Sequence, residues 1–125
     1  PGISRKVITV GASHALISQD AHGKALTSYS GKGPTPCKIP KPDITAPGSH
    51  IVSCSTYKNG YAPKSGTSMS VPFISGVCAL LLQQKPYLSN DQIKIRLMEA
   101  ASPVPYLPYN RQGAGVVNLS RLLEL

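Results

Sequence analysis

A chain of 125 residues has room for one small domain with one core. With 41% apolar and 14% charged residues, and neither a low-complexity tract nor an internal repeat, it reads as a packed globular chain and not as a disordered segment or a solenoid. The net charge of +8 is scattered: among 13 basic residues only Arg5 and Lys6 are adjacent, so no nucleic-acid partner is expected, and the scatter points to a solvated face or to acidic polypeptide outside these residues.

Pro1-Gly2-Ile3-Ser4 has neither an initiator methionine nor a charged-then-apolar leader and reads as a cut, not a beginning. Val7 to Ala12, short, β-branched and nearly continuously apolar, is expected as a central strand of a parallel sheet, buried on both faces. Ser13 to Pro42 is polar and rich in Gly, Pro and Ser, with turns at Tyr29-Ser30-Gly31 and Gly33-Pro34, and is expected as surface connection. Ile44-Thr45-Ala46, stopped by Pro47-Gly48, suits the end of a strand at the rim of a sheet. Ile51 to Tyr57 and Tyr61 to Ser65 flank Asn59-Gly60, a pair that takes the positive φ of a tight turn, so a hairpin delivers the chain to Gly66.

From Ser68 to about Gln84 the apolar residues Val71, Phe73, Ile74, Val77, Cys78, Leu80, Leu81 and Leu82 point all round a helical wheel, which predicts a helix buried on every side. Pro72 falls in its first turn, where a missing amide costs nothing. The apolar stretch proper, Val71 to Leu82, is too short to cross a bilayer and holds Pro72 and Gly76, so no membrane span is expected. Ser89 and Gln92 form a capping-box pattern for an amphipathic helix to about Ala101, with Ile93, Leu97 and Met98 inward and Asp91, Lys94 and Arg96 outward. Pro103, Pro105 and Pro108 end it. Gly115 to Leu125 carries Val116, Val117, Leu119, Leu122 and Leu123 and should dock a short terminal helix.

Cys37, Cys54 and Cys78 show no C-x-x-C spacing and offer neither a complete disulfide framework nor a zinc site. Cys78 is expected in the core, and pairing of Cys37 with Cys54 stays open. Asn118-Leu119-Ser120 matches a glycosylation acceptor but lies in the docking segment and is assigned no role.

Chemistry concentrates at Ser68. A serine at the start of a buried helix has its hydroxyl and amide at the positive end of the helix dipole, and Gly66 keeps a side chain out of a substrate backbone's path. On Gly-x-Ser alone a helix N-cap is the better reading. The longer string reverses that order: Gly-Thr-Ser-Met-Ser-Val-Pro at 66 to 72, followed by Gly76 and an apolar helix, resembles the nucleophile motif of the subtilisin-like serine peptidases. Val7-Ile-Thr-Val-Gly-Ala12, Tyr29-Ser30, Pro42 to Gly48, the hairpin and Gly113 to Asn118 resemble segments of the same family in the same order, over nearly the whole chain. One departure is Phe73, where the family usually has a histidine that is not the catalytic base.

The resemblance implies an α/β fold, the C-terminal portion of a three-layer subtilisin-like domain with a mostly parallel sheet, incomplete in this chain, with the N-terminal part absent. It implies a serine endopeptidase that acts on peptide or protein substrates through an acyl-enzyme on Ser68, with Ser68, Gly66 and Thr67 at the oxyanion and substrate-backbone positions. A secreted or cell-surface location follows from the resemblance only. The family's triad runs Asp, His, Ser along the chain, and only the serine is matched. His22-Gly23 near Asp20 lies in a polar connection without the helix that should carry the base, and His14 and His50 sit in loops beside strand ends. The oxyanion asparagine is not matched by Asn59, Asn90, Asn110 or Asn118. The chain alone is therefore expected to be inert, and to pair with the missing N-terminal part or self-associate through an open sheet edge and a bare helix side. No cofactor and no metal are expected: carbonyls near Gly2 to Val7 match one weak cation site of the family, without an acidic cluster beside them.

Two rivals are weighed. Ser55-Thr-Tyr-Lys58 and Lys64-Ser-Gly-Thr67 resemble boxes of penicillin-recognising enzymes, but one hairpin turn separates them where that class has most of a domain. A pseudoprotease or binding module that keeps the fold without catalysis is the alternative that stands.

Overall fold

A computed structural model describes residues 1–14, 26–57 and 60–124 of the chain. Strand β1 (Val10–Ser13) pairs in parallel with β2 (Ile44–Pro47), Val10 opposite Ile44 and Ser13 opposite Pro47, and both are buried throughout. The expected 7–12 strand thus starts three residues late. Val7 is 39% exposed because, among the described residues, no strand lies on the outer edge of β1 to draw the chain in earlier. The 44–46 stub is not at the rim. Thr45 is flanked by β1 on one side and by a parallel bridge to Val116 on the other, its amide donating to Gly115 O at 2.9 Å and its carbonyl accepting from Val117 N at 2.9 Å.

The 13–42 connection is not all surface either. Thr27 and Ser30 are buried because the outer edge of β1 needs partners: Thr27 N donates to Ala12 O at 3.1 Å, and Ala12 N donates to Ser30 Oγ at 2.9 Å. Short hydroxyl side chains stand in for a neighbouring strand there.

Strands β3 (Ile51–Cys54) and β4 (Tyr61–Lys64) form the expected antiparallel hairpin, closed by Ser55 N donating to Gly60 O at 2.7 Å. Gly60 takes φ +80°, while Asn59 lies outside the described residues. Helix α1 (Thr67–Gln84) buries the stripe Ser70, Ile74, Val77 and Leu81 at i, i+4, i+7 and i+11. Its opposite side is not buried. Val71 and Leu80 are about half exposed because nothing among the described residues covers that face, so the all-round apolar pattern is only partly used. No helix among the described residues is long and apolar enough to cross a membrane.

Helix α2 (Asn90–Ala100) opens on the expected capping box, Ser89 N to Gln92 Oε1 at 2.8 Å and Gln92 N to Ser89 Oγ at 3.3 Å. Ile93 and Leu97 face inward, and Met98 is half-buried. Lys94, expected outward, instead turns in and meets Asp43 Oδ1 at 3.2 Å, because a buried carboxylate draws a long cation that solvent would otherwise keep. The short helix α3 (Tyr109–Gln112) went unseen among the prolines, and α4 (Leu119–Glu124) docks Leu122 as expected. Asn118 caps α4, accepting from Arg121 N at 3.0 Å. The main core joins Val10, Ile44 and Ala46 of the sheet to the inner faces of α1 and α2 and to Val117 and Leu122, with Phe73 packed at its margin.

Cys37 and Cys54 are exposed free thiols, so their pairing is not present, whereas Cys78 is half-buried on α1. Burial pushes the Cys78 thiol above its ordinary range, which leaves less thiolate at neutral pH. Iodoacetamide at pH 7.5 should therefore modify Cys37 and Cys54 well before Cys78, read by peptide mass mapping, with Cys78 catching up as pH rises.

Candidate active site

The turn that carries Ser68 is held from below by the end of β2 and the residues that follow it. Gly66 N donates to Gly48 O at 2.8 Å, Ser70 Oγ to Ala46 O at 3.0 Å, and His50 N to Ser65 Oγ at 2.9 Å. Gly66 is the N-cap of α1 at φ +154°, ψ +162°, a conformation open to glycine alone, and a Cβ there would meet nothing nearer than Ser68 N at 3.8 Å. Glycine is required at 66 by the backbone angle, and a clear approach over that position follows from it.

Ser68 is the second residue of α1 and is exposed. No side chain caps the helix, and no hydrogen-bond partner engages the Ser68 hydroxyl among the described residues, so the N-cap reading of Ser68 is set aside. At the second helical position its amide is one of the unpaired N-terminal donors, at the positive end of an 18-residue helix. Beside it lies an open, mainly apolar recess of about 330 Å³, bordered by Gly2, Val10, Thr67, Ser68 and Val71.

Neither described histidine has a hydrogen bond to Ser68. His14 Nδ1 lies 3.3 Å from Ser49 Oγ, His50 (φ +52°) serves through its backbone amide, and His22 with Asp20 lies outside the described residues. Among the described residues no group of three or more His, Cys, Asp or Glu side chains is gathered as a metal would need. Instead, the Lys94 ammonium donates to Arg5 O and Val7 O at 2.9 Å each, so this stretch of carbonyls is already engaged by a side-chain cation.

A family model described as the Subtilase family matches residues 1–118. The chain belongs to the subtilase family. Serine protease AprX of Bacillus subtilis is 38% identical over 94% of this subtilase chain and 30% of its own length, and the minor extracellular protease Vpr of the same organism is 36% identical over 87% and 15%. Among solved structures, the CspB protease of Clostridium perfringens superposes with a TM-score of 0.83 at 34% identity, over 100% of this chain and 28% of that one. The chain thus spans less than a third of the length of each of these three relatives. The α/β arrangement, with its parallel pair and covering helices, is an incomplete subtilisin-like fold.

Two features of the site escaped sequence reasoning. The bracing of the Ser68 turn by residues 46–50 has a faint signal in Pro47-Gly48, since a side chain at 48 would collide with Ser70 Oγ and Gly66 O. The Asp43–Lys41–Lys94 cluster has none, because it joins residues 51 positions apart by side-chain reach alone.

Proposed function

We propose that the full-length protein bearing this chain is a serine endopeptidase in which Ser68 is the nucleophile, and in which an acid, a base and a second oxyanion donor come from polypeptide outside these 125 residues. The observation that carries this reading is the exposed Ser68 hydroxyl, unpartnered among the described residues, at the N-terminus of α1 beside an apolar recess, in a chain of the subtilase family. The external base takes the Ser68 Oγ proton as Oγ bonds to the substrate carbonyl carbon, and the oxygen that gains negative charge accepts from the Ser68 amide. Collapse breaks the C–N bond, the base returns its proton to the leaving amine, and water then hydrolyses the ester to free Ser68. Gly66 and Thr67 line the path of the substrate backbone.

The bare side of α1, and an outer edge of β1 that loop residues rather than a strand hold among the described residues, support a role for the remaining polypeptide as their cover. The isolated 125-residue chain should accordingly be inert and should elute from gel filtration as an associated species, and a monomer with a normal thermal melt would contradict this. Similarity to the minor extracellular protease Vpr favours an extracellular protein. Labelling of the full-length protein by a fluorophosphonate, abolished by Ser68→Ala, tests the central claim, and a protein that never labels is the pseudoprotease instead.

A further inference from the structure

The segment 46–50 that braces the Ser68 turn is itself braced, by three side chains that the proposed chemistry leaves unused. Tyr29 OH donates to Gly48 O at 3.0 Å, the same carbonyl that accepts Gly66 N at 2.8 Å. Tyr29 OH also lies 2.9 Å from Ser49 Oγ, which lies 3.3 Å from His14 Nδ1. Each hydroxyl has one proton, so the three contacts can be satisfied together in one direction only. Tyr29 gives its proton to Gly48 O, Ser49 then gives its own to the Tyr29 oxygen, and His14 Nδ1–H donates to Ser49 Oγ. The line of donors ends on the carbonyl that holds the N-cap of α1.

We infer that Tyr29, supported by Ser49 and His14, is a positioning residue that fixes the Ser68 turn through the Gly48 carbonyl. The inference rests on the reading of Ser68 as nucleophile. Gly48 O with both lone pairs engaged cannot tilt without breaking one bond or the other. Gly66 follows that carbonyl, and the Ser68 amide and hydroxyl follow Gly66 two residues on. Sub-ångström placement of a nucleophile is where a modest contact becomes a rate effect. Gly48 is buried, but its carbonyl keeps Gly66 N as a donor when the Tyr29 hydroxyl is removed, so losing the bond leaves that carbonyl paired and acts on geometry more than on stability.

Tyr29→Phe keeps the ring and removes only the donor. In the full-length protein it should lower both kcat and the rate of fluorophosphonate labelling at Ser68 by about three- to tenfold, with KM changed by less than about twofold. Ser49→Ala should give a smaller loss of the same kind, and the double variant should be no slower than Tyr29→Phe alone, because both act through one carbonyl. Labelling of Tyr29→Phe at the unsubstituted rate, a rise in KM with kcat preserved, or additive losses would each overturn the positioning role while leaving Ser68 as nucleophile. An unsubstituted protein that does not label would overturn both.

Discussion

Ser68→Ala in the full-length protein should lower kcat by about six orders of magnitude, the loss measured for removal of the nucleophile in subtilisin itself, a member of this family. The size follows from what the serine supplies. Its oxygen forms the covalent intermediate that splits amide hydrolysis into two easier steps, and no neighbouring group can stand in, because Ser70 is committed to Ala46 O and Ser65 to His50 N. Binding should survive, since Ser68 is exposed and its side chain makes no hydrogen bond among the described residues that the alanine would break. The informative comparison is therefore kcat against KM on one peptide substrate: a collapse in kcat with KM nearly unchanged marks a group that acts in the transition state. A variant retaining more than about one part in a thousand of the activity would place the nucleophile elsewhere and remove the basis of the proposed mechanism.

How much of this was legible in the sequence depended on how local each cause is. The hairpin, the start of α1 and the capping box of α2 are set by contacts within a few residues and were readable, and the docking of Leu122 was readable from the apolar pattern of the last segment. The Ser68 motif was readable because the turn needs a glycine at φ +154° two residues before the serine. The failures are non-local. Whether Val7 to Thr9 joins a strand depends on a neighbour for the outer edge of β1, and whether the outer stripe of α1 is buried depends on what covers it. Thr27 and Ser30 looked like loop residues and are buried because they replace that neighbour at Ala12. Lys94 sat on the polar side of a helical wheel, and its destination, Asp43, belongs to a different element. Gly113, read only as part of a resemblance, takes φ +64° and passes so close to the Asp43 carbonyl that any side chain would collide with it.

Asp43→Ala should destabilise the folded protein by about 3–5 kcal/mol, more than either lysine substitution beside it. Asp43 and Lys41 are each only 5% exposed. Asp43 Oδ2 accepts from Thr9 N and from Lys41 Nζ at 2.7 Å each, while Oδ1 faces Lys94 Nζ at 3.2 Å. One carboxylate thus pairs with two ammonium groups, and both of these also hold carbonyls of the entering segment, Lys41 on Val7 O and Lys94 on Arg5 O and Val7 O. Removing the carboxylate leaves two like charges at close quarters and strips Thr9 N of its acceptor. Lys94→Met removes a partner but leaves Asp43 paired with Lys41, and Lys94 is the more exposed of the two cations, so its loss should cost less than that of Lys41. Asp43→Asn separates the contributions, since the amide can still accept from Thr9 N but no longer balances the lysines; it should recover only a minor part of the loss in denaturant titrations. The same position bears on the reaction. Asp43 N donates to Thr9 O at 2.8 Å and its carbonyl accepts from Ala114 N at 2.9 Å, so the residue ties the entering segment and the 113–115 turn to the start of β2. The far end of β2 leads directly into Ala46 and Gly48, which hold Ser70 and Gly66. Slackening at Asp43 should therefore reach the Ser68 turn, and the labelling rate of Ser68 should fall in Asp43→Asn at temperatures where circular dichroism still reports a folded protein.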